Sequence, residues 1–148
     1  MQATEALRHI HAKNVIHCDF GCHNFLTQKG GALALSGFGG STIDSSTSQV
    51  GYATRYQRPC SMAERSANST RKDDLFALGT VLYEITAGAR IFDDVPSREI
   101  RRKFEKHEYP DLSKIPATLR TVIEKCRAYQ YETVDDILLD LQKPAVPS

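Results

Sequence analysis

Between two apolar pairs, Val15-Ile16 and Phe25-Leu26, the chain carries a short polar block, His17-Cys18-Asp19-Phe20-Gly21-Cys22-His23-Asn24. Apolar anchors on both sides make this block a loop held against a core. Asp19 and Asn24 stand five positions apart in it. Both are loop-building residue types: an aspartate caps a turn, and an asparagine tolerates a left-handed backbone. Thirteen residues after Asn24 comes a second compact feature, Gly37-Phe38-Gly39. By itself the spacing leaves a structural and a chemical use of Asp19 and Asn24 both open, and the rest of the chain decides between them.

Three further blocks follow in order: Arg55-Tyr56-Gln57-Arg58-Pro59-Cys60, Asp74-Leu75-Phe76-Ala77-Leu78-Gly79, and Val81-Leu82-Tyr83-Glu84-Ile85-Thr86-Ala87-Gly88. With the first loop as H-x-D-x4-N and Gly37-Phe38-Gly39 as a D-F-G-like turn, the chain resembles the large, C-terminal lobe of the eukaryotic-type protein kinases over about residues 2 to 142. The later blocks take the places of the family's A-P-E segment and D-x-W-x-x-G helix. Small-molecule kinases of the aminoglycoside and choline type share H-x-D-x4-N but lack the signature of residues 74 to 88, and they are the second choice.

The resemblance implies a mainly α fold with a small β-hairpin. It places a kinase-like lobe over residues 1–142, with the catalytic loop at 15–26, the activation segment at 37–60, a central helix at about 73–87 and a short tail at 143–148. It implies ATP and Mg as cofactors and a protein Ser/Thr residue as phosphoryl acceptor. Asp19 takes the place of the catalytic base, Asn24 that of a Mg ligand, and Gly37, Phe38 and Gly39 that of the nucleotide-metal turn. A Gly-rich phosphate loop, a strand lysine and a helix glutamate, which the family carries in a small lobe, have no counterpart in the sequence. Met1 falls at the start of the first large-lobe helix, so the expectation is a chain without its small lobe.

Several positions depart from the family pattern. Gly37 stands where the family has the aspartate that holds magnesium, and neither a glycine nor the neighbouring Ser36 hydroxyl replaces a carboxylate. Asp44 lies seven positions downstream, too far to take over without rebuilding the turn. Gly21 replaces the lysine that steadies the γ-phosphate, and Cys22-His23 replace Pro-Glu. His23 reads as a solvated loop histidine, or as a donor to phosphate when protonated. Cys18 replaces the arginine that grips an activation-loop phosphate. Cys60 replaces the A-P-E glutamate, and its buried arginine partner is missing near Tyr131, with Arg127 the nearest. Losing both members of a buried pair can be nearly neutral, so the fold is expected to survive. The function expected is that of a protein kinase domain-like chain, impaired or inactive in phosphoryl transfer. The alternative is a pseudokinase-type interaction or scaffold module.

Composition narrows the partners. The 148 residues carry a net charge of +1 with 25% charged residues of both signs, which gives no electrostatic case for nucleic acid or membrane. No apolar run approaches the ~20 residues of a membrane span, and the N-terminus lacks the core of a signal peptide. The expected setting is cytoplasmic, with four reduced cysteines, and the Asn68-Ser69-Thr70 sequon is set aside. His17, Cys18, Cys22 and His23 cluster like metal ligands, but the catalytic-loop frame already explains them, so neither zinc nor haem is expected. The partner expected is a protein, as substrate or binding partner. The run from Ser41 to Ser48 offers phosphoacceptors or a flexible polar loop, and Arg101-Arg102-Lys103 with Lys106 offers an acidic-partner site or a solvated helix face.

Periodicity supplies the elements. Ala3, Ala6, Leu7 and Ile10 give a first helix that stops at Asn14. Phe25–Thr27 and Ala32–Leu35 read as strands around Gly30-Gly31. Leu75, Leu78, Leu82 and Ile85 form the core face of the central helix, with Gly88 as its C-cap. Ser97 is expected to cap a helix to about Lys106, and Pro116 to open one to about Arg127. Thr133 with Asp136 is expected to box the start of a last helix through Leu141. Apolar surface around the first helix and Phe25-Leu26 should stay exposed and favour self-association.

Overall fold

The computed structural model describes residues 1–43, 51–59 and 69–143. Among them the central element is α2 (Arg71–Ala87), flanked in the chain by α1 (Gln2–His11), α3 (Ser97–Glu105), α4 (Ala117–Arg127) and α5 (Val134–Leu141). Every residue of α2 from Asp73 to Leu82 is buried. A helix apolar on one stripe packs one neighbour, whereas a helix buried all round must sit inside the lobe. Its start is fixed by the Asp73 carboxylate, which accepts the Thr70 N–H at 2.7 Å. Its end is fixed by Gly88, left-handed at φ 70, whose N–H donates to the Glu84 carbonyl.

Packing against α2 makes one large core, to which Leu7 and Ile10 of α1, Val122 and Ile123 of α4, and Val134 and Ile137 of α5 contribute. A second, smaller core forms where Phe76 leaves α2 on its other side to meet Ile91, Ile100 and Phe104. Ile85, expected on the core face, is 51% exposed. Seven positions after Leu78, Ile85 keeps that residue's face of the helix, so its exposure reflects the lack of a covering neighbour at this end of α2 rather than its helical angle. Glu84 is the residue that is buried instead.

Gly79 explains how closely α2 and α4 approach. A Cβ placed on it would lie 2.7 Å from the Cβ of Cys126. Both atoms are fixed to backbone, so no rotamer change relieves the contact.

Caps mostly follow the sequence pattern, with two corrections. Pro96, not Ser97, occupies the N-cap of α3, and Pro116 is the N-cap of α4 rather than its first helical residue. A proline fits either place because the N–H it lacks has no intrahelical partner there. Thr133 caps α5 as expected, its hydroxyl accepting the Asp136 N–H at 3.2 Å. Strands β2 (Phe25–Thr27) and β3 (Leu33–Leu35) form the antiparallel hairpin around Gly30 and Gly31, both at positive φ. A pairing not foreseen joins β1 (Val15–Ile16) to β4 (Thr42–Ile43), with Val15 opposite Ile43 and Ile16 opposite Thr42. It clamps the entrance of the Asp19 loop to the segment that follows Gly37-Phe38-Gly39.

Asp44 and the rest of the run to Ser48, Cys60, Asn68 and the tail beyond Lys143 lie outside the described residues. Among the described residues no helix is long and apolar enough to cross a membrane. Replacing Gly79→Ala should lower stability by about 1–3 kcal/mol through overpacking, against a helix-propensity gain of roughly 1 kcal/mol. Urea unfolding of both proteins reads the difference, and a higher midpoint would contradict the close approach of α2 and α4.

Candidate functional site

The polar loop is held by one carboxylate. Asp74, at the start of α2 and fully buried, accepts the backbone N–H of His17 at 2.8 Å and of Cys18 at 3.2 Å. It also accepts from the Tyr52 hydroxyl at 2.5 Å and from His11 Nε2 at 2.8 Å. Burial, and then the Asp74 charge, push the Tyr52 phenol well above its ordinary value, so it stays a donor. Cys18 has φ 70, unusual for a residue with a side chain. The bond from its N–H to Asp74 holds it there, where the arrangement around it fixes an otherwise costly conformation.

His17 ties the loop to the next segment. Its Nδ1 accepts the Asp19 N–H at 3.2 Å, which leaves the proton on Nε2, and that nitrogen donates to the Ser36 carbonyl at 2.7 Å. The Phe38 ring packs against it at a tilt of 55°, with centroids 5.0 Å apart. Ser41 Oγ donates to the His17 carbonyl at 2.9 Å. The loop and the Gly37-Phe38-Gly39 turn therefore form one unit, with Phe38 itself 43% exposed.

Asp19 and Asn24 bond each other directly. Asn24 Nδ2 donates to the Asp19 carbonyl at 2.8 Å and to its carboxylate at 3.1 Å. The other carboxylate oxygen faces His23 Nε2 at 3.1 Å. His23 is thus a partner of Asp19 rather than a freely solvated side chain. The four residues that cluster as possible metal ligands part company: His17 and Cys18 turn to the Ser36 and Ile16 carbonyls, His23 to Asp19, and Cys22 to Glu84 and Tyr56.

Both glycine substitutions leave space that neighbours fill. Gly37 is left-handed at φ 77, a conformation glycine adopts without penalty. A Cβ there would lie 2.2 Å from Asn24 Oδ1, so the asparagine amide fills the room of a side chain at position 37. A Cβ on Gly21 would meet the His23 ring at 2.6 Å and the Tyr56 ring at 2.8 Å. Ser36, the nearest hydroxyl, donates to the Asn24 carbonyl at 2.9 Å.

These residues do not fit the metal–nucleotide group that a D-F-G turn serves. Position 37 offers no carboxylate, and Asn24 packs into the room one would need. Among the described residues no group of three His, Cys, Asp or Glu side chains could hold a metal ion.

One buried cluster escaped the sequence reading. Glu84 accepts from the Tyr56 hydroxyl and, at 2.8 Å, from the Ile91 N–H. Burial and the Glu84 carboxylate push the Cys22 thiol up to about 12 and raise the Tyr56 phenol as well. Cys22 is therefore held neutral and is no nucleophile. The signal was the helical spacing that puts Glu84 three residues after Val81 and seven after Ala77, both buried.

Comparison with known proteins agrees with this geometry. The protein kinase domain model matches residues 1–133. The chain belongs to the protein kinase family. It is 29% identical over 154 aligned residues to serine/threonine-protein kinase PrkC of Bacillus subtilis (strain 168), covering 95% of this chain and 24% of that protein. It is 26% identical to the mixed lineage kinase domain-like protein of Mus musculus, over 88% of this chain and 30% of that protein. Integrin-linked protein kinase 1 of Arabidopsis thaliana is 28% identical over 87% of this chain and 30% of its own length. This kinase lobe thus spans between 24% and 30% of the length of these relatives.

Removing the Asp74 carboxylate leaves several buried donors without an acceptor. Asp74→Ala should cost about 3–5 kcal/mol, and Tyr52→Phe, which takes away one donor, about 1 kcal/mol. Denaturant unfolding measures both, and an Asp74→Ala protein as stable as Tyr52→Phe would contradict its anchoring role.

Proposed function

We propose that this kinase lobe is impaired in phosphoryl transfer and serves as a protein-interaction module of the pseudokinase type. The observation that carries the reading is position 37, where a glycine replaces a metal-holding carboxylate and the Asn24 amide packs into the vacated room. The same amide bonds Asp19, so the two polar groups of the loop engage each other. In phosphoryl transfer metal ions neutralise most of the developing charge. Loss of one such stabiliser costs several kcal/mol, and each ~1.4 kcal/mol is tenfold in rate.

The interaction half of the proposal draws on the surface around the loop. Leu26, Phe38 and Ile43 are 58%, 43% and 59% exposed. All three flank the loop in the strands and the turn that adjoin it, and exposed apolar residues of this kind favour a protein partner.

A second reading, an active Ser/Thr protein kinase using ATP and Mg, has one observation in its favour. The Asp19 side chain remains 28% exposed beside an intact left-handed turn at Gly37.

Thermal-shift titration of the chain with ATP, with and without magnesium, separates the two. A ligand that binds only the folded state raises the melting temperature by mass action. The expected result is no magnesium-dependent rise at millimolar ATP, together with a lower melting temperature for Gly37→Asp, because the new side chain displaces Asn24. A magnesium-dependent rise that Asn24→Ala abolishes would overturn the proposal in favour of the enzyme.

A further inference from the structure

A cleft of about 520 Å³ between the 107–113 connection and α4 has an excess of hydrogen-bond donors that the rest of the fold leaves unused. Arg127, on α4, is only 6% exposed, yet its Nε and Nη2 have no hydrogen-bond partner. Those two nitrogens share one edge of the planar guanidinium, the edge that forks onto a carboxylate with two parallel bonds. Arg120 Nε and the Tyr109 hydroxyl, also on the cleft lining, are likewise buried and unpaired. Of the five such side-chain atoms among the described residues, four belong to this cleft.

Arg127 is fixed by stacking. Its guanidinium carbon lies 4.4 Å from the Tyr109 ring centroid and 5.7 Å from that of Tyr83. Ring faces steady a cation, but they accept nothing from the Nε–Nη2 edge. Burial accordingly draws the Arg127 pKa below its ordinary value. Arg120 is positioned by its Nη2, which donates to the Ile115 carbonyl at 3.1 Å. The nearby acids do not answer either arginine: Asp111 is turned onto Ser113 at 2.7 and 3.0 Å, and Glu124 is exposed. A buried charge left unpaired is costly, and an anion entering the cleft would meet donors already in place.

Charge selects the kind of anion. Asp111, bonded to Ser113, and exposed Glu124 share the cleft with the two arginines without bonding them, so a second negative charge on an anion meets repulsion and a singly charged carboxylate is favoured over a phosphate dianion. The surroundings favour a polypeptide as its source. Along α3 and into His107 of the lining, Arg98, Arg101, Arg102, Lys103 and Lys106 outnumber Glu99, Glu105 and Glu108, with Arg102 paired to Glu99 at 3.5 Å, so a modest net positive charge extends beyond the reach of a single small molecule.

We propose that this cleft receives a carboxylate from an acidic segment of a partner protein, with Arg127 as the fork and Arg120 and Tyr109 as supporting donors. No residue of the Asp19 loop takes part, so the inference stands whether or not the lobe transfers phosphate.

Fluorescence anisotropy of the whole chain with a labelled oligoglutamate peptide tests it, with the oligoglutamine counterpart and inorganic phosphate as competitors. Saturable binding is expected, weakened roughly tenfold or more by Arg127→Met, since hydrogen bonds to charged groups are at stake. Tyr109→Phe keeps the stacking ring and should keep the fold while also weakening binding several-fold. Failure of the oligoglutamate peptide to bind would overturn the proposal. So would equal binding by wild type and Tyr109→Phe, or competition by oligoglutamine or phosphate as effective as that of unlabelled oligoglutamate.

Discussion

The fold turns on the carboxylate of Asp74. It sits at the start of a helix buried on all sides and takes two backbone N–H groups from the loop that carries Asp19 and Asn24. Without an acceptor at that point the loop would bring buried donors into the core unpaired, which a folded chain rarely tolerates. The phenol of Tyr52 and the imidazole of His11 complete the ring of donors. Through it Tyr52, α1 and the Asp19 loop all refer their positions to one point on α2. The left-handed Cys18 follows from this arrangement, because the backbone has to bend there for two successive N–H groups to reach the same carboxylate.

Around that anchor the departures from the kinase pattern form a matched set. The side chain missing at Gly37 leaves room for the Asn24 amide, and the one missing at Gly21 leaves room for the His23 and Tyr56 rings. Tyr56 in turn bonds Glu84, whose second oxygen holds the Ile91 N–H. The loop is therefore repacked rather than left with holes, consistent with the density that protein interiors maintain. Restoring one family residue would have to displace its new neighbour, so the changes constrain one another.

Near the far end of the lobe, Tyr131 stands close to where the family buries an arginine. Its hydroxyl donates to Asp140 at 2.7 Å, and Lys125 and Lys143 reach the same carboxylate. The Asp140 carboxyl is held below the usual range by those partners, the lysines first. A local network thus occupies this corner. Arg127, the last residue of α4, lies against the Tyr109 and Tyr83 rings with its fork unpaired. α4 thus contributes Lys125 to a satisfied network centred on Asp140 of α5 and Arg127 to an unsatisfied donor pair, which separates maintenance of the fold from a capacity to bind.

The sequence by itself determined the family, the order of the elements, and the place of Asp19 and Asn24 on one loop. Those depend on local spacing: apolar anchors, helical periodicity and residues that favour turns or caps act over a few positions, as at Gly88 and Thr133. The close approach at Gly79, the exposure of Ile85, the β1–β4 pairing, the Glu84–Tyr56 cluster and the stranded Arg127 were decided only by the tertiary structure. Each depends on what a residue meets from a distant part of the chain. Periodicity places a side chain on a face of its own helix, but the neighbour across that face fixes whether it is buried, bonded or left with an unpaired donor.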